Sequence, residues 1–249
     1  MRIELERFLA ALRFFTRLPV PAWVGHSQDQ LDRSTRYFPL IGWIIGAIGA
    51  GVTWLATLVL PVSLAVLLGM AATLFATGAF HEDGFADSCD GFGGGWDKAQ
   101  VLAIMKDSRI GSYGAIGMCM LLLLKWNALI SLGVAVLPSL VAGHAISRAA
   151  ATSLIFTLDY VRDENGKSKP LAVRMRRGEF AAACLFGLLP IALLPLHQAV
   201  QGLIAVIVVT WLMRGYTLRR IGGYTGDVLG ATQQLCEVAF YLGVLCVFS

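Results

Sequence analysis

The sequence predicts an all-α fold, a polytopic bundle of helices spanning a membrane. Three observations lead there. Of 249 residues, 57% are apolar and only 14% charged, with a mean hydropathy of +0.69, against about 45–50% apolar and about 25% charged in soluble domains. So few charges cannot coat a globule in water, which argues against soluble, disordered and nucleic-acid-binding classes despite the net charge of +4. Apolar runs approaching the roughly 20 residues of a bilayer-crossing helix recur along the chain. Basic residues, finally, alternate between crowded and bare connections.

Taken in order, residues 2–16 are amphipathic, with Phe8, Leu12 and Phe15 on one helical face. Such a helix either lies on an anionic cytoplasmic surface or packs on the loops. Arg2, Arg7, Arg13 and Arg17 interrupt it too often for a signal-peptide core. Spans are expected near 40–60, 62–80, 113–132, 139–158, 180–196, 199–213 and 228–248, about seven in all. Pro61, Pro138 and Pro195 mark tight turns between them. Gly42, Gly46 and Ala50 form a small-residue ridge suited to helix packing.

Lys and Arg number 6 in residues 1–39, 3 in 81–112, 6 in 159–179 and 3 in 214–227, while the turns near 61, 133–138 and 197–198 carry no charge. The positive-inside rule then places the N-terminus and the long loops in the cytoplasm and the C-terminus outside. The chain reads as one transmembrane domain, 1–249, with a cytoplasmic or interfacial segment at 1–39 and a cytoplasmic active-site segment at 81–112. Lys125, inside a span, snorkels or pairs with Glu237. Cys89, Cys119, Cys184, Cys236 and Cys246 show neither zinc nor disulfide spacing.

The informative segment is 80–117. Asp83, Asp87 and Asp90 stand at i, i+4 and i+7, so a helix stacks them on one face. Three carboxylates so close repel one another unless a cation relieves them. Oxygen-only ligands suit Mg²⁺, which takes one or two carboxylates plus substrate phosphates. The plainer alternative is a solvated acidic loop neutralising Lys98, Lys106 and Arg109. His81 and Glu82 fall off the aspartate face, His81 as a base, a ligand or a helix-end residue. Residues 91–95 read as a flexible glycine loop able to offer amides to phosphate. Lys106, Asp107 and Arg109 could clamp a diphosphate, or simply set topology.

A second polar segment, 219–227, brings the lone acid Asp227 to a helix start, where it is an N-cap or a member of the same site. Arg148 and His144, one turn apart within a span, could add a cation and hydrogen bonds to that cavity.

The stretch His81-Glu82-Asp83-Gly84-Phe85-Ala86-Asp87-Ser88-Cys89-Asp90-Gly91, followed by Ile104-Met105-Lys106-Asp107-Ser108-Arg109-Ile110-Gly111, resembles the cobalamin synthase family, the adenosylcobinamide-GDP ribazoletransferases. Residues 15–21, 38–42 and 226–231 extend the resemblance towards both ends. It implies a Mg²⁺-dependent, multi-pass enzyme of the bacterial inner membrane. Such an enzyme joins GDP-activated adenosylcobinamide to α-ribazole or its 5′-phosphate, giving adenosylcobalamin or its 5′-phosphate and releasing GMP. The family's HxDGxxDxxDG pattern lands on His81, Asp83, Asp87 and Asp90, with Glu82 where an apolar residue is commoner. On this reading Asp83, Asp87 and Asp90 hold the metal, and catalysis falls to these with Asp227 and His81. Either Asp90 or Asp227 takes the ribose proton, while Lys106, Asp107, Arg109 and Arg148 bind substrate. Partners are small molecules and the bilayer, not nucleic acid, and an oligomer is not excluded.

Two rivals remain. A CDP-alcohol phosphotransferase also clusters aspartates at a membrane face, but its DGxxAR order does not follow Asp83-Gly84. A cation transporter more often places acids near the midplane, whereas these lie at expected cytoplasmic edges.

Overall fold

The computed structural model describes residues 2–25, 27–162 and 175–246. Helix α1 (Arg2–Phe15) is followed by α2 (Gln28–Ser34), which runs through a 3-10 turn into α3 (Phe38–Thr57). Then come α4 (Val62–Thr77), α5 (Phe80–Gly94), α6 (Lys98–Ile104), α7 (Ser112–Ser131) and α8 (Val136–Thr157). The chain ends with α9 (Arg177–Leu188), α10 (Leu196–Ile221) and α11 (Gly226–Leu245). Among the described residues the extended pairing is one isolated bridge, Tyr160 to Tyr224. Residues 163–174 of the expected basic loop and 247–248 of the last expected span lie outside the described residues.

Five stretches are long and apolar enough to cross a bilayer: Gln30–Thr57, Ser112–Ser131, Gly133–Thr157, Leu196–Ile221 and Gly226–Leu245. α4 and α5, bent by 89°, make up to a sixth. The protein is a multi-pass membrane protein, but the expected seven spans are not seven full-length helices. The stretch 180–196 is divided: α9 has 12 residues, about 18 Å against a core of roughly 30 Å. Pro190 follows it and opens a 3-10 turn over Leu189–Leu193, because a proline ring cannot continue the α-helical ladder.

The centre of the bundle is α8 and α11, in which 78% and 83% of the span is buried, whereas α10 is 17% buried. On α10, Val200, Ile204, Ile207 and Trp211 point outward, an apolar surface that only lipid covers without penalty. The small-residue ridge of α3 does what its spacing suggests. A Cβ on Gly46 would stand 2.6 Å from the Leu140 carbonyl, and Gly42 meets the His144 carbonyl the same way, so α3 and α8 touch backbone to backbone.

α1 packs on the bundle through Ala11 and Phe15, with the Phe15 ring 4.2 Å from that of Phe38. Ile3 and Leu5 stay exposed. Just beyond α1, Arg17 covers the corner between α4 and α5 and donates its backbone N–H to Ala76 at 2.8 Å. That corner is two left-handed residues, Gly78 at φ 67° and Ala79 at φ 56°. Ala79 pays about 1–2 kcal/mol for this conformation, and the turn swings α5 across the ends of α7 and α11.

Candidate active site

α5 carries the aspartates in the register the sequence predicts. Asp83 is exposed, Asp87 half-buried and Asp90 buried. No hydrogen bond or ion pair within the described residues engages the side chain of Asp83 or Asp87. The charges acting on Asp87 are those of Asp227, Asp83, Arg162 and Asp90, so the acid of the second polar segment does join the first.

The meeting of α5 and α11 depends on glycine. A Cβ on Gly84 would lie 3.0 Å from the Asp227 Cα, and one on Gly230 would lie 2.9 Å from the His81 carbonyl. Asp227 is not the N-cap of α11. Thr225 caps the helix, its hydroxyl accepting from the Val228 N–H at 3.3 Å, which frees the Asp227 carboxylate to pair with Arg162. Arg162 also donates to the Met105 carbonyl at 3.2 Å. Its position is set by the Tyr160–Tyr224 bridge, in which the Val161 N–H reaches the Tyr224 carbonyl at 3.1 Å and the Tyr224 N–H the Asp159 carbonyl at 3.0 Å. Sequence reasoning counted Arg162 only as a topology charge; its spacing from Asp227 carries no signal.

Asp90 has a task of its own. Its carboxylate accepts from the N–H groups of Gly111 at 2.7 Å and Gly114 at 2.8 Å, at the start of α7. Gly111 has no side chain to cap that helix, and Asp90 supplies the acceptors from α5. His81 is placed away from the aspartates. It is 4% exposed and stacked on Phe15, ring centroids 5.5 Å apart.

Residues 91–94 correct an expectation: they are helical, not a flexible loop. A Cβ on Gly93 would fall 2.6 Å from the Tyr113 ring, so these glycines serve helix packing. Arg220 binds carbonyls here, Gly95 at 2.6 Å and Phe92 at 3.3 Å. The exposed end thus offers oxygen to a cation of the protein itself.

Beside Asp90 a groove of about 690 Å³ is lined by Asp107, Arg109, Ser112 and Tyr113, within the size range of small-molecule sites. Arg109 Nε donates to Asp107 at 3.1 Å and its NH2 at 2.7 Å. These hydrogen bonds hold the Asp107 carboxyl below its ordinary range and push the Arg109 guanidinium up. Lys106 is exposed close by in sequence. Arg148 is not in this groove. It is 2% exposed and donates to the His144 carbonyl at 2.8 Å, within the bundle.

Among the described residues no three His, Cys, Asp or Glu side chains already stand in a metal-holding arrangement. The donor chemistry nonetheless fits a hard divalent cation: Asp83, Asp87 and Asp227 offer only oxygen, and Arg162 is the one cation among the leading charges on Asp87.

Together these features define a multi-pass helical membrane protein with a carboxylate-lined end beside an open groove. Comparison with known proteins makes the class specific. A family profile described as Cobalamin-5-phosphate synthase matches residues 7–245, and the chain belongs to that family, the transferases of cobalamin biosynthesis. It is similar to the adenosylcobinamide-GDP ribazoletransferase of Shewanella frigidimarina, 48% identical over 98% of this chain and 95% of the relative. The enzyme of that name from Ralstonia pickettii is 48% identical over 100% of this chain and 98% of its own. That from Ralstonia nicotianae is 49% identical over 92% and 90%. No solved structure matches the chain.

Proposed function

We propose that this chain joins adenosylcobinamide-GDP to α-ribazole or its 5′-phosphate, giving adenosylcobalamin or its 5′-phosphate and GMP, at the cytoplasmic face of a bacterial inner membrane. The observation that carries the reading is the pair of uncommitted carboxylates, Asp83 and Asp87, set against Asp227 where α5 and α11 touch. The names of the full-length relatives support the substrates. The basic residues at this end, Arg162 and Arg220, support the orientation.

The step is a phosphoryl-group transfer. A ribose hydroxyl oxygen bonds to the corrinoid-side phosphorus while the bond from that phosphorus to the GMP oxygen breaks. Asp83, Asp87 and Asp227 would hold Mg²⁺, which would supply neutralisation of the diphosphate charge. Asp90 keeps the start of α7 in place beside the groove, and Arg109 with Lys106 grips phosphate oxygens. Of the two bases considered from sequence, Asp90 is engaged by two amides and Asp227 by Arg162. Asp87 carries no such partner and accepts the ribose proton.

The test is GMP release by the reconstituted chain from adenosylcobinamide-GDP and α-ribazole at saturating Mg²⁺. Asp83→Asn and Asp87→Asn should each reduce it at least about a hundredfold. Wild-type turnover in a correctly inserted variant would refute the site. Product formed from CDP-diacylglycerol and an alcohol would favour the other phosphotransferase class.

A further inference from the structure

The helix that bears the aspartates has a second polar face. Glu82, beside Asp83, is 8% exposed and turned into the bundle. The Gln234 amide donates to Glu82 Oε1 at 2.7 Å and to Gln233 Oε1 at 2.8 Å. The Gln233 amide donates in turn to Glu237 Oε2 at 2.7 Å and to the Ser147 hydroxyl of α8 at 3.0 Å. At Glu237 the run ends on a full set of partners: Lys125 Nζ of α7 at 2.6 Å, His144 Nδ1 of α8 at 3.2 Å and the Tyr241 hydroxyl at 2.9 Å. Each of these side chains is more than nine-tenths buried. A continuous polar run therefore links α5 through α11 to α7 and α8.

Burying polar groups is costly where partners are missing, and Glu82 Oε2 and Gln234 Oε1 have none among the described residues, so the hydrogen bonds that are made weigh the more in fixing one register. The glycine contacts at Gly84 and Gly230 let α5 and α11 approach, and Asp90 ties the far end of α5 to α7, while the first turn, which carries Asp83, takes its directional hold from Glu82. Hydrogen bonds to a carboxylate are directional. Successive helix residues point about 100° apart, so fixing Glu82 fixes the heading of Asp83 and, one turn on, of Asp87.

We propose that Glu82 is a positioning residue: through Gln234 and Gln233 its carboxylate locks the roll of α5 against the Glu237–Lys125 pair and so aims Asp83 and Asp87 at Asp227. The inference rests on the reading of that aspartate face as the reactive end. Glu82 reaches no substrate from its buried side of the helix and acts only through its neighbours.

The experiment uses the full chain in proteoliposomes and three isosteric variants: Glu82→Gln, Gln234→Glu and the two combined. Glu82→Gln removes the carboxylate and should lower kcat for GMP release about tenfold, with KM for the GDP ester within about twofold, as supporting residues do. Gln234→Glu sets two buried carboxylates face to face and should lower kcat by about a hundredfold. The combined exchange again opposes one carboxylate to one amide but leaves Gln233 Oε1 without its donor, and should raise kcat about tenfold above Gln234→Glu. Wild-type kcat in Glu82→Gln, or an exchange no better than Gln234→Glu, would overturn the proposal. General loss of fold would instead move KM and membrane yield together and would not recover on exchange. Hydrogen exchange of the α5 amides, read without substrate, keeps this apart from the reaction itself. Faster exchange in both single variants, reversed in the double, upholds the lock even if no form, wild type included, releases GMP. Unchanged exchange in the single variants overturns it whatever the turnover.

Discussion

Gly84 and Asp227 touch without an intervening side chain, the Cβ that Gly84 lacks falling 3.0 Å from the Asp227 Cα. This close approach of α5 and α11 is thus also the place where the two polar segments of the sequence become one site. Gly84→Ala must push the helices apart by several tenths of an ångström. Displacement at the reacting end should lower turnover at least tenfold, roughly, while overpacking costs about 1–3 kcal/mol. GMP release and a thermal unfolding curve on the same preparation check both.

Arg162 balances Asp227 and reaches the Met105 carbonyl. Arg162→Ala leaves the acid end with one cation fewer and should reduce turnover about 10–100-fold. Arg162→Lys keeps the charge but with a shorter reach, where Nη2 now serves both the Asp227 carboxylate and the Met105 carbonyl, and should recover only part of the loss. Steady-state rates of the two variants make the comparison.

Asp90 and its two neighbours on α5 should separate by stability. Asp90→Asn places an amide NH₂ against a backbone N–H of Gly111 or Gly114 and should cost about 1–3 kcal/mol, read as a lower Tm. Asp83→Asn and Asp87→Asn remove no hydrogen bond within the described residues. They should leave Tm within about a degree of wild type, with activity lost in both. A fall in Tm for all three alike would contradict this division.

The buried pair of Lys125 and Glu237 has no water to fall back on. Lys125→Met leaves the Glu237 carboxylate short of its cation and should destabilise the protein by about 3–5 kcal/mol. Adding Glu237→Gln should restore much of it, since a neutral amide needs no counter-charge. Denaturant unfolding in detergent measures the coupling.

Much of this arrangement was legible before any coordinates, and the reasons can be traced residue by residue. Helical spacing stacked Asp83, Asp87 and Asp90, because the period of a helix is a property of its backbone. For Lys125 the sequence left snorkelling or pairing with Glu237, because a membrane leaves a buried cation few alternatives, and the structure shows the pair. What escaped was decided by distant segments. That Asp90 accepts from two amides at the start of α7 escaped because α7 begins with a glycine that cannot cap itself. The glycines at 91–94 became helix because Tyr113 and Arg220 arrive from elsewhere. Arg148, expected at the reactive end, is held inside by the carbonyl of its own preceding turn. Arg162 could not be seen at all, since its approach to Asp227 depends on the bridge between Tyr160 and Tyr224.

The most enclosed of the candidate spans also stands downstream of every other described helix. α11 brings Asp227 to the reactive end and Glu237 to the interior. During synthesis, therefore, Lys125 and Arg148 enter the lipid before any acid of α11 exists to answer them. The arrival of α11 therefore answers Lys125 with Glu237 and brings Asp227 to the reactive end in a single step.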